Sequence, residues 1–260
     1  MDLQLTDKVV VVTGAASGIG QATARLLAEE GAVVVGVDRD PIDTGLGTRG
    51  TAVQADLTDP ATPDRVIATV LERHGRIDAL VNNAGGLHVR TSFLDITDEQ
   101  WLATFDLNFH AARRMSRAAV PAMLASGGGS LVHISSDSAR LPEIGNLDYA
   151  AAKLPLLVLS TSLATEFSPR GIRSNVVVPG PTRTPLYDRP GGFGEQAAQL
   201  WGTDKESAIT RMVTEIRPLL TSRIGQPDDI AQVVAYLVSP LSSQVTAAEW
   251  NVDGGALRQI

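Results

Sequence analysis

The sequence predicts an α/β fold, a doubly wound parallel sheet with helices on both faces, in a single domain over residues 1–260. Three observations predict it. Short β-branched runs alternate with stretches of helical periodicity. The runs are continuously apolar, the mark of strands covered on both faces. No linker, low-complexity tract or repeat divides the 260 residues, of which 43% are hydrophobic and 20% charged, so one large core is expected.

The first run is Val9-Val10-Val11-Val12. A helix follows from Gly18 to Glu30, with Ile19, Ala22, Leu26 and Leu27 on one face and Gly31 as its stop. Val33-Val34-Val35-Gly36-Val37 is the second strand and Ala52-Val53-Gln54-Ala55 a weaker third. A helix over 64–74, closed by Gly75, leads to Ala79-Leu80-Val81. Thr97 and Gln100 have capping-box spacing and open a helix to about Ser126, stopped by Gly127-Gly128-Gly129. Residues 130–135 read as a fifth strand, 149–167 as a helix and 175–178 as a sixth strand. Pro155 falls inside that helix, where it removes an N–H and crowds the carbonyl of Ala151. Pro227-Asp228-Asp229 starts a late helix, and 248–252 is the last strand. The region 181–223, rich in Pro and Gly, breaks this rhythm and reads as a partly helical lid carrying Tyr187, Phe193, Trp201 and Met212.

Composition excludes several classes. A formal net charge of -7 argues against a nucleic-acid partner. There are no cysteines, hence no disulfide framework or thiolate nucleophile. No signal peptide and no membrane-length apolar run is visible, so a soluble cytoplasmic protein is expected. His74, His88, His110 and His133 show no ligand spacing, so no metal is expected. Neither G-x-S-x-G nor H-E-x-x-H occurs.

Thr13-Gly14-Ala15-Ala16-Ser17-Gly18-Ile19-Gly20 lies between the first strand and the first helix. Glycines there permit a tight turn and let a pyrophosphate approach the helix N-terminus. The spacing is G-x-x-x-G-x-G, not G-x-G-x-x-G. Asp38 ends the second strand, where an acid accepts from both ribose hydroxyls and repels a 2′-phosphate. Arg39 next to it has the opposite tendency; the order favours NAD over NADP. Tyr149 and Lys153, four apart, share a helix face. A neighbouring ammonium favours phenolate, so the expectation is a lowered tyrosine pKa and an acid/base at neutral pH. Ser135 and Ser136 end the fifth strand, where a hydroxyl can hold a substrate oxygen. Asn108, in an apolar helical stretch, satisfies a kinked backbone or orders a water.

With these pieces in order, the sequence resembles the short-chain dehydrogenase/reductase family from Lys8 to Gly255, adding Asn82-Asn83-Ala84-Gly85, Pro179-Gly180 and Val252-Asp253-Gly254-Gly255. The resemblance implies a Rossmann-like sheet of seven strands ordered 3-2-1-4-5-6-7. It implies Tyr149 as acid/base, Lys153 lowering its pKa and holding the nicotinamide ribose, Ser136 polarising the substrate oxygen, and Asn108 holding a water. Ser135 is the lesser choice for the serine. It also places Asp56 and Leu57 by adenine, Asn83 with Ala84 and Gly85 near the adenosine ribose, and Pro179, Gly180, Thr182 and Thr184 near nicotinamide and phosphates. Ser17, where NADP-preferring members often carry a basic residue, agrees with Asp38. Thr246-Ala247 departs from the family's frequent Thr-Gly. The expected function is NAD-dependent interconversion of a secondary alcohol and a ketone. The alternatives are a 3-oxoacyl-carrier-protein reductase using NADPH and an NAD-sensing protein without turnover. Asp137, Glu143 and Asn146, between the serines and Tyr149, offer polar contacts, so the expected substrate is a medium-sized alcohol with an apolar part, with a sugar or a steroid also open. A homotetramer is expected, packed through the helices 97–126 and 149–167.

Overall fold

The computed structural model describes residues 2–43 and 45–258. Seven parallel strands form one sheet in the order β3-β2-β1-β4-β5-β6-β7, as the resemblance implies. They are β1 Val9–Thr13, β2 Val33–Asp38, β3 Thr51–Gln54, β4 Ala79–Asn82, β5 Gly129–Ile134, β6 Ile172–Pro179 and β7 Glu249–Val252. In β1 every residue is buried, and its side chains alternate between two cores. Val10 and Val12 pack with Ala24, Leu27, Ile230 and Val234 on one face. Val9 and Val11 pack with Val66, Val70, Met115 and Met123 on the other. The helices behind these contacts are α1 Gly18–Glu29 and α10 Pro227–Val238 on the first face, α2 Thr62–His74 and α4 Ala111–Ala125 on the second.

The stop signals behave as their chemistry requires. Gly31 has φ +88 and Gly75 φ +73, both left-handed. Thr97 and Gln100 form the reciprocal cap at the head of α3, Asp98–Phe105. Between α3 and α4, Asp106–His110 widen into a π-turn.

Pro155 divides the next helix into α5 Leu147–Lys153 and α6 Pro155–Phe167. With no N–H at 155, the ladder shifts: Leu157 N donates to Leu154 O at 3.1 Å. The Lys153 carbonyl accepts instead from the Ser135 hydroxyl at 3.0 Å. The stretch Leu147–Arg170 is long and apolar enough to cross a membrane by length and composition. In this fold it lies against the sheet, with Ser160 hydrogen-bonded to Ser174 of β6.

The region 181–223 is partly helical, with α7 Pro185–Asp188, α8 Phe193–Trp201, α9 Lys205–Arg211 and a π-turn Met212–Ile216. It has a small core of Tyr187, Ile209, Met212, Val213 and Leu219.

Two features of the scaffold carry predictions. Ala247 is exposed and has φ +55. A side chain in the left-handed region costs about 1–2 kcal/mol, part of which glycine's greater unfolded-state freedom offsets. Ala247→Gly is expected to raise stability by about 0.5–1 kcal/mol, a gain of roughly 1–4 °C in Tm. A lower Tm would show that the strain is not there.

His133, next to the last residue of β5, is fully buried, and burial holds it down to about 4 from 6.5. Its Nδ1 faces Asn82 Nδ2 at 3.3 Å, and Nε2 has no partner. The unfolded chain therefore binds a proton that the folded chain refuses. Stability falls as pH drops from 6.5 to about 4, by about 3 kcal/mol in full. Urea midpoints across that window test this, and His133→Gln should flatten the slope.

Candidate active site

The carboxyl ends of β1, β2, β4, β5 and β6 form one edge of the sheet, and order reverses between β1 and β4. Open α/β sheets bind ligands at such an edge. Gly14 has φ +68 and Gly18 φ +56, a turn that L side chains rarely adopt. A Cβ on Gly20 would stand 2.0 Å from the Gly14 carbonyl oxygen. Asn83 clamps the same turn: its Nδ2 donates to Thr13 O at 2.9 Å and Gly14 O at 3.2 Å. The Asn83 and Ala84 amides both donate to the Thr13 hydroxyl at 3.0 Å.

Ser17, the exposed N-cap of α1, makes no side-chain cap, and the first turn holds no acid. The leading N–H groups and the helix dipole are thus directed at an outside anion. Ile19 anchors the helix into the first core. The cradle fits a dinucleotide pyrophosphate, since glycine is sterically required where the backbone must approach.

Asp38, at the end of β2, accepts from Ala16 N at 2.9 Å and Asp40 N at 3.1 Å. The carboxylate is thereby fixed beside the glycine turn. Arg39 points to solvent, 73% exposed, and only approaches Asp40 at 3.9 Å. Asp56 is exposed, and hydrogen bonds from the Thr58 amide and hydroxyl hold its carboxyl below the usual range. Leu57 is buried. On the other side of the edge, Pro179 ends β6, and a Cβ on Gly180 would lie 2.7 Å from the Asp253 Cα. Thr182 donates to Gly180 O at 2.9 Å. Thr184 is the N-cap of α7, and its Cγ2 lies 3.2 Å from where a Gly18 side chain would begin.

Asn108, Ser136, Tyr149 and Lys153 converge beside this cradle. Ser136 lies close enough to the Tyr149 phenol to lower its pKa against the effect of burial. Lys153, 3% exposed, donates from Nζ to Ile134 O at 2.9 Å. Its Nζ stands 5.7 Å from the Tyr149 ring centre. A Cβ on Gly85 would come within 2.8 Å of Asn108 Oδ1 and 2.9 Å of Lys153 Nζ.

Of the two readings for Asn108, the backbone one has direct support. Its Nδ2 donates to Gly86 O and Thr104 O, both at 3.0 Å, and its Oδ1 accepts from Gly86 N at 3.1 Å. It joins the π-turn to the loop after β4. Ser135 is also accounted for, by the Lys153 carbonyl.

The expected lowering of the tyrosine pKa is not met by the chain alone. Burial pushes the Tyr149 phenol up to about 12, Asp137 adds to the rise and nearby Ser136 opposes it. Burial likewise brings Lys153 down to about 8. The cause is desolvation, which outweighs an ammonium turned toward a backbone carbonyl.

The sequence reading missed three residues. Asp148, 1% exposed, accepts from Arg90 Nη2 at 2.6 Å, Thr104 Oγ1 at 2.8 Å and Tyr149 N at 3.0 Å. It fixes the head of α5, next to Tyr149. Arg217, from the end of the 212–216 turn, reaches Asp137 at 2.7 Å. An acid just before Tyr149 was the one local signal; Arg90 and Arg217 had none. His88, the histidine nearest the edge in sequence, is exposed.

Comparison with known proteins agrees with this geometry. The family described as enoyl-(acyl carrier protein) reductase matches residues 14–256. Oxidoreductase UcpA of Escherichia coli (strain K12) is 36% identical over 261 residues, covering 97% of this chain and 95% of its own. Human dehydrogenase/reductase SDR family member 4 is 36% identical over 261 residues, covering 96% of this chain and 88% of its own. The crystal structure of L-sorbose reductase from Gluconobacter frateurii, complexed with NADPH and L-sorbose, matches with a TM-score of 0.92 at 32% identity over 100% of both chains. Sheet order, the glycine turn and these likenesses together make the chain a member of the short-chain dehydrogenase/reductase family.

Proposed function

We propose that this oxidoreductase interconverts a secondary alcohol and a ketone, with Tyr149 as acid/base and NAD as the preferred dinucleotide. The observation that carries the reading is the convergence of Ser136, Tyr149 and Lys153 beside the glycine cradle. A bound dinucleotide supplies the hydride acceptor or donor, and its oxidised ring adds positive charge. Gly14, Ser17, Gly18, Ile19 and Gly20 would hold the pyrophosphate, Asp38 the adenosine ribose with Arg39 outside it, and Asp56 and Leu57 the adenine. Asn83, Ala84 and Gly85 would face the adenosine ribose, and Pro179, Gly180, Thr182 and Thr184 the nicotinamide end. Lys153 would hold the second ribose. Ser136 would orient the substrate oxygen, and the Tyr149 hydroxyl would exchange its proton. The region 181–223 acts as the lid. Val158 and Leu102, 68% and 71% exposed on the two long helical stretches, suit subunit contacts in a homotetramer.

The structural relative L-sorbose reductase is complexed with NADPH, so cofactor choice rests on Asp38 here. A carboxylate facing a 2′-phosphate dianion in a partly desolvated site is strongly unfavourable. The native protein is expected to show higher kcat/KM with NAD, and Asp38→Ala should reduce that preference roughly tenfold or more. Equal use of both dinucleotides by the native protein would remove the argument. The family description favours one second reading, reduction of a carrier-linked acyl group. Turnover of a carrier-linked acyl substrate against a secondary alcohol separates the two.

A further inference from the structure

Asp137 follows Ser136 at the sheet edge and is 3% exposed. Its Oδ1 accepts from the Ser136 hydroxyl at 3.3 Å. Its Oδ2 lies 2.7 Å from Nη2 of Arg217, whose Nη1 reaches Glu143 at 3.4 Å. Tyr187, in the small core of the 181–223 segment, packs with Met212, Val213 and Leu219. Strand end, loop and lid thus meet at one polar point beside the reacting tyrosine.

The ion pair is close but poorly aligned. Asp137 Oδ2 and Arg217 Nε and Nη2 are buried and lack a hydrogen-bond partner. Buried unpaired polar atoms are rare and call for a partner outside the chain or a strained pair. Burial also pushes Asp137 up to about 6 against the Arg217 charge, which makes its carboxylate a strong acceptor.

The chemistry of the missing partner follows from the charges. Two carboxylates, Asp137 and Glu143, face one guanidinium, so an anionic substrate meets net negative charge. An apolar group would leave all three atoms unpaired. A hydroxyl satisfies both sides, donating to Asp137 Oδ2 and accepting from Arg217 Nε. Because Asp137 adjoins Ser136, that hydroxyl belongs on a carbon near the reacting one.

We propose that Asp137 and Arg217 form a hydroxyl-recognition subsite, so that the substrate is a neutral polyhydroxylated alcohol or the matching ketone. A polyol or ketose fits; a simple alcohol or a 2-hydroxy acid does not. This rests on the alcohol–ketone reading of Tyr149 and deepens it.

The test compares kcat/KM for cyclohexanol, 1,2-cyclohexanediol, D-sorbitol and lactate on the full chain, with NAD and with NADP. The diol or the polyol is expected to exceed cyclohexanol by about 10²-fold or more, since a site built to bond a hydroxyl discriminates strongly against its absence. Arg217→Met and Asp137→Asn should each collapse that ratio by at least about tenfold. Melting curves report whether each variant folds; if Asp137→Asn does not, the Arg217→Met ratio decides. Cyclohexanol matching the diol in the native protein, or a ratio unmoved by Arg217→Met, overturns the subsite alone. No turnover of any panel alcohol counts against the alcohol–ketone reading as well.

Discussion

Replacing Tyr149 by phenylalanine is expected to lower turnover by at least about 10²- to 10⁴-fold while dinucleotide binding persists. Phenylalanine keeps the ring and its packing, and removes only the phenol hydroxyl proposed to exchange the proton. In the chain alone that phenol is pushed up to about 12, so almost none is ionised near neutrality. The rising limb of the pH–rate profile for oxidation should nevertheless fall well below 12, because substrate turnover requires a proton acceptor at working pH. The gap between the two measures how far occupation of the site alters the phenol. Near-native turnover of the Tyr149→Phe protein over about pH 6 to 9 would refute the mechanism.

Gly20→Ala is expected to weaken the protein through geometry instead of chemistry. The added methyl would lie 2.0 Å from the Gly14 carbonyl oxygen and 2.4 Å from Asn83 Nδ2. Real side chains never come so close to backbone, so the turn must move. Asn83 loses its grip on Thr13 O and Gly14 O in the process. Overpacking of this kind typically takes roughly 1–3 kcal/mol. Borne by the turn, that is about ten- to hundredfold in dinucleotide Kd. Gly75→Ala serves as the comparison: its φ is also positive, at +73, but nothing lies within 4 Å. Calorimetric titration showing native Kd for Gly20→Ala would mean the cradle is not the binding site.

The two cases also mark where sequence reasoning stops. The valine run of β1 was legible because both faces of the strand are covered, and Gly31, Gly75 and the Thr97–Gln100 cap carry their geometry in their own residue types. Tyr149, Lys153 and Ser136 were legible by their order and spacing. The direction of the Tyr149 shift was not, because desolvation depends on what the rest of the chain packs around the ring. Arg217 and Asp137 lie far apart in sequence and meet only through the path of the 181–223 segment. The π-turn at Asp106–His110 had one sign, an asparagine in an apolar stretch, and that sign fitted two explanations equally.

Pro155 has a mechanical consequence. A helical rod flexes first where a rung of its ladder is missing. Here the missing rung is the one from residue 155 back to the Ala151 carbonyl. The short segment before it is moored at both ends, by Asp148 to Arg90 and by the Lys153 carbonyl to Ser135. The segment after it carries Val158 outward, exposed to solvent. The outer segment is therefore held to the one that carries Tyr149 and Lys153 by one backbone bond fewer than an unbroken helix would supply.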